Sequence, residues 1–111
     1  MTYQKAGIDD VDSVVDEEWG GMWFLRDALG CETVGLTILE LEPGGKSKEH
    51  DHADSDHEEV YLVAEGEVEV DCDGETVTLR ENEALRLSPD QRRQIHNRSD
   101  ERVKLVLAGA P

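Results

Sequence analysis

Lysine, aromatic residues and cysteine are all scarce in this 111-residue chain, and each shortage closes off a class of function. Eleven basic side chains face 27 acidic ones, for a net charge of −16 with histidine neutral. So negative a surface repels phosphate backbones and anionic lipid, and neither nucleic acid nor a membrane is an expected partner. Cys31 and Cys72 lack the spacing of a metal finger, and reduced thiols in a cytoplasmic protein are expected. The opening MTYQKAGIDDVDSVVDEE has no apolar stretch of the secretory-leader kind, and no run approaches the length of a membrane span. High charge with two Trp, two Tyr and one Phe is also a signature of disorder, but the alternating segments described next oppose it. The acids are spread over every segment. That spread fits a halophilic protein in a salt-rich cytoplasm better than one acidic face built for a basic partner.

The length allows one domain with a single core. Residues 1–18 alternate acids with isolated valines and read as an extended arm. Trp19 to Leu25 gathers three of the aromatic rings and should be buried, on the domain's own core, in a homodimer contact or over a pocket mouth. Leu25 to Gly30 has room for one helical turn closed by Gly30. We therefore take residues 1–33 as an N-terminal arm with its aromatic segment and 34–111 as the folded barrel. From Val34 the sequence VGLTILELE is β-like and stops at Pro43-Gly44-Gly45. Glu59–Val63, Glu67–Cys72, Thr76–Leu79, Ala84–Leu87, Arg93–Asn97 and Val103–Leu107 supply further short strands, with Asp73-Gly74 as a hairpin turn. Even spacing without convincing helices predicts an all-β antiparallel sandwich or barrel.

Chemistry concentrates between Gly44 and Gly66, in GGKSKEHDHADSDHEEVYLVAEG. His50, His52 and His57 lie there with Glu59, and imidazole plus carboxylate is a usual donor set for a borderline divalent metal. A solvated polar loop is the plain alternative. Gly44-Gly45-Lys46-Ser47 resembles the end of a phosphate loop but lacks the earlier glycine and the following helix. Acids beside Cys72 would raise its pKa, and no serine has a nucleophile-elbow context.

The spacing of these residues resembles the cupin family. Gly44 precedes His50 by five residues, His50-Asp51-His52 is a His-x-His, and Glu59 precedes Gly66 by six. The six residues between His52 and Glu59 are two more than the family's usual maximum. A second motif fits Asn82, Ser88-Pro89-Asp90, Arg93 and Asn97 without a gap, although Arg93 stands where the family has its last metal-binding histidine. The acidic composition is most like that of haloarchaeal cupin-domain proteins. The resemblance implies a double-stranded β-helix, the jelly-roll barrel, with a divalent metal inside it (Fe, Mn, Ni or Zn) and a small polar metabolite as ligand. His50, His52, His57 and Glu59 are the candidate ligands. Tyr61 and Arg93 are the candidate substrate-pocket residues.

Alternation places Glu59, Tyr61 and Val63 on one face, and Arg93, Ile95 and Asn97 on another, with His96 turned outward. A guanidinium cannot ligate a metal. Arg93 could orient an anionic substrate, could pair with Glu59 in a metal-free binding or sensing module, or could leave His57 to complete the ligand set.

Overall fold

A computed structural model describes residues 2–111. After a 3-10 turn at Ile8–Asp10 come β1 (Gly20–Phe24), α1 (Arg26–Leu29), β2 (Gly35–Leu41), β3 (Glu58–Glu65), β4 (Val68–Cys72), β5 (Glu75–Leu79), β6 (Ala84–Leu87), β7 (Gln94–His96) and β8 (Val103–Ala110). Strands β1-β2-β8-β3-β6 form one antiparallel sheet and β5-β4-β7 the other. The fold is the expected all-β jelly roll. Strict alternation in the strands decides which side chains meet between the sheets. Leu39, Leu41, Tyr61, Val63, Val68, Val70, Leu79, Leu87, Ile95, Val103, Leu105 and Leu107 form the core.

The segment from Gly44 to His50 widens the smaller sheet. Lys46 bridges to His96 and His50 to Arg93, so this segment uses one residue more than the strand it faces. That surplus is a bulge, and bulges re-aim the side chains around them.

Several chain reversals carry left-handed backbone. At Gly66, φ is +90°, and a Cβ would stand 2.6 Å from Cγ1 of Val103. Asn82, in the place of the second motif's glycine, has φ +67°, a conformation asparagine tolerates better than most residues. The Asp73-Gly74 turn joins β4 to β5, and α1 ends on Gly30 with φ +68°.

The aromatic segment departs from expectation. Gly20–Phe24 is the edge strand of the larger sheet and pairs with β2 along its whole length. Alternation in that strand turns Met22 onto the core and Trp23 outward across Gly21, whose Cβ would strike the indole. Trp19 and Phe24 stay 56% and 51% exposed, so the rings are not buried as a group. Ser13 and Val14 hydrogen-bond to the backbone of Met22 and lay the preceding segment along β1.

On the outer face of the larger sheet, Trp23, Ile38, Val106, Leu62 and Ala84 are cross-strand neighbours, one from each of its five strands. An unbroken apolar row is conspicuous on a chain that is 34% charged.

Candidate metal and ligand site

Glu59 and Tyr61 point inward from β3, and Arg93 enters just before β7. Backbone bonds in both directions between His50 and Arg93 (3.0 and 2.9 Å) bring the two motifs together. His52 is anchored separately, its N–H donating to the Pro89 carbonyl at 2.7 Å. The longer loop does not displace it: a turn closed by Ser55 N–H on the His52 carbonyl (2.9 Å) takes up the extra residues. Ala53 to Asp56 project into solvent.

Oε1 of Glu59 is the meeting point. Arg93 Nη2 donates to it at 2.7 Å, His52 Nε2 lies at 3.1 Å and Tyr61 OH donates to it at 3.4 Å. His50 Nε2 stands 3.6 Å away. Burial alone would push the Glu59 carboxyl up, but hydrogen bonds from His50 and Arg93 and the guanidinium charge outweigh it and hold the carboxyl at about 2. The hydrogen bond to Glu59 raises His50 above its usual value, against the effect of burial. Burial pushes Tyr61 up to about 12, which keeps it a neutral hydroxyl donor.

His50 shows why this cluster fits a divalent cation. Its Nδ1 lies 3.0 Å from the Lys48 carbonyl, which only accepts, so Nδ1 carries the proton. In the neutral ring the lone pair of Nε2 faces a carboxylate oxygen, whereas the protonated ring, favoured by the raised pKa, points a proton at it. Two acceptors in that arrangement require a proton or a cation between them. His50, His52 and Glu59 each bring one donor atom, all within 4.8 Å of one another. Two imidazoles and one carboxylate are a donor set for iron, manganese, nickel or zinc.

His57 is outside this group of three, its ring centred 5.6 Å from that of His52. His96 is turned away and pairs with Asp71 at 3.1 Å. The Arg93 side chain is fully buried. Its Nε donates to the Tyr61 hydroxyl and its Nη1 to the carbonyls of Ser88 and Gln91.

A cavity of about 340 Å³ lies against the cluster, reached through His50 and Tyr61. Met22, Leu39, Leu41, Ile95 and Leu107 wall it, and Val15 and Trp19 from the N-terminal segment stand at its border. Arg93 does not line it. The sequence reading named Tyr61 but missed the leucines, which inward alternation along VGLTILELE could have supplied. It also missed Lys46 and Lys48 on the cavity wall, for which the sequence carries no signal.

The family model for the cupin domain matches residues 37–109. The polyketide synthase CurC of Streptomyces cyaneus is 38% identical over 92 residues, covering 78% of this chain and 58% of that protein. The tetracenomycin polyketide synthase protein TcmJ of Streptomyces glaucescens is 36% identical, covering 76% of this chain and 55% of that protein. The chain thus spans a little over half the length of these two relatives. A solved cupin protein from Bacteroides fragilis superposes with a TM-score of 0.80 at 26% identity, covering 99% of this chain and 85% of that one.

Proposed function

Because this chain belongs to the cupin family, we propose that its barrel binds a divalent metal at His50, His52 and Glu59 and a small, largely apolar molecule in the adjoining cavity. The convergence of three donor atoms beside His50 and Tyr61, at one side of a cavity walled by hydrocarbon, carries this reading. The walls favour a less polar ligand than the metabolite expected from sequence. The names of the two polyketide synthase relatives support a polyketide-derived, ring-bearing molecule with a carbonyl or hydroxyl oxygen.

In this reading the leucines and Met22 exclude water and grip the body of the ligand. Tyr61, neutral well above physiological pH, turns its one hydroxyl proton from Glu59 to the ligand's oxygen. Arg93 fixes the position of Glu59. His50, His52 and Glu59 would hold the cation, which when bound would supply Lewis-acid polarisation of that oxygen. The test is elemental analysis of untagged protein from cells grown with iron, manganese, nickel and zinc. About one divalent metal per chain is expected. Less than a tenth of that in folded protein would exclude the metal.

One observation favours a second reading, a metal-free binding or sensing module. The ion pair of buried Arg93 with Glu59 at 2.7 Å already neutralises the carboxylate. Ligand binding without metal would establish it.

The assembly we propose is a homodimer in which a second copy covers the apolar row on the outer face of the larger sheet. Isologous contact of such a face is self-complementary. Two chains of charge −16 repel one another, so the dimer should tighten as salt screens them. Leu62→Lys places a charge in the row. Light scattering should then show a monomer, whereas a variant that stays dimeric would move the contact elsewhere.

A further inference from the structure

The chain contains only four lysines, and two of them, Lys46 and Lys48, line the cavity that adjoins the metal-type cluster. Arg80, Arg86, Arg92, Arg93, Arg98 and Arg102 each pair with a carboxylate. Among the described residues no lysine has a carboxylate within ion-pair distance, and Lys46 and Lys48 differ from Lys5 and Lys104 in standing at this cavity. Solubility alone does not account for two unpaired cations at this place, because the chain's surplus of acid already provides it.

The backbone explains how they arrive there. In a regular strand, neighbouring side chains alternate between faces. The bulge opposite β7 breaks that alternation, and Lys46, Ser47, Lys48 and His50 all reach the cavity wall. Lysine stems lie comfortably along hydrocarbon while the ammonium groups stay in water. The lining therefore combines leucine and methionine with two lysines and with His50 and Tyr61.

We propose that Lys46 and Lys48 are an anion-reading rim, and that the ligand is an amphipathic acid. Its apolar body lies between the sheets, its oxygen function faces His50 and Tyr61, and its carboxylate or equivalent anion meets the lysines. This rests on the reading of the cavity as the ligand site. Along the chain the Cα atoms of Lys48 and Lys46 stand at most roughly 7 and 13 Å from that of His50. The rest of the surface repels anions. At physiological salt the screening length is about 8 Å, so an anion at the cavity mouth responds to the nearby lysines more than to distant acids.

Two fluorescent probes of similar shape separate charge from apolar fit. They are 1-anilinonaphthalene-8-sulfonate, an anion, and N-phenyl-1-naphthylamine, which is neutral. Titrated into the wild-type protein, both should bind, and Leu39→Trp, which fills the cavity, should abolish both. The double variant Lys46→Gln/Lys48→Gln should weaken the sulfonate roughly tenfold and leave the neutral probe within about twofold. Equal losses for both probes would show that the lysines act through their stems, and no loss for either would show that they do not act at all. Either result overturns the rim. Failure of the neutral probe to bind wild type, or binding that survives Leu39→Trp, would instead overturn the cavity as the ligand site.

Discussion

Arg93→Met is expected to destabilise the metal-free protein by about 4 kcal/mol, read as a lower urea midpoint at pH 7. The guanidinium is the only group that both neutralises Glu59 and satisfies the carbonyls of Ser88 and Gln91 in the same buried space. Removing it leaves a carboxylate charge under the sheet, and an uncompensated buried charge costs more than the pair contributes. Adding Glu59→Gln to Arg93→Met should accordingly restore a large part of the loss. A single-variant loss under about 1 kcal/mol would mean that water reaches Glu59 and screens it.

The same pair gives the acid limb of stability its position. An unperturbed glutamate titrates near 4.5, and in the fold Glu59 is held at about 2. The folded state therefore binds fewer protons in that window. Stability that is complete above pH 4.5 falls as the pH drops toward 2, by about 3 kcal/mol. In Arg93→Met this part of the decline should shift to higher pH, because burial is then opposed only by His50 and His52.

The second large effect concerns metal affinity. His52→Ala should weaken zinc binding by at least about a hundredfold, since it removes one of only three protein donors. His57→Ala should change it by less than about threefold, its ring being outside the group. Arg93→His should strengthen binding by about tenfold, because it removes a competing cation from Glu59 Oε1 and offers a further imidazole. Calorimetric titration of the four proteins checks the order. Loss in His57→Ala with retention in His52→Ala would mean that the loop delivers the other histidine.

Much of this arrangement was legible in the chain because it follows from alternation. The placement of Glu59 with Tyr61 and of Arg93 with Ile95 and Asn97 needs only a period of two, and all five side chains do turn into the interior. The His50-to-Arg93 apposition followed from the two motifs taken together. The edge strand β1 was not legible, because Gly20-Gly21 dilutes the β signal and its outer face is as apolar as its inner one. Whether His57 comes close enough to join His50, His52 and Glu59 was equally hidden. It depends on a turn closed by one backbone bond from Ser55, which the composition of a polar loop does not reveal. Lys46 and Lys48 owe their direction to a bulge, and a bulge is a relation between two strands rather than a property of either.

The border of the cavity has a different character from its walls. Between Thr2 and Trp19 no residue is buried, and few backbone bonds tie this stretch to the sheets. The walls, by contrast, come from strands paired along their full length across distant parts of the sequence. Val15 and Trp19 can therefore detach in a local opening that costs a handful of hydrogen bonds and leaves β3 and β8 paired. For the ligand site proposed above, exchange through this border and global unfolding are then separate events with separate barriers.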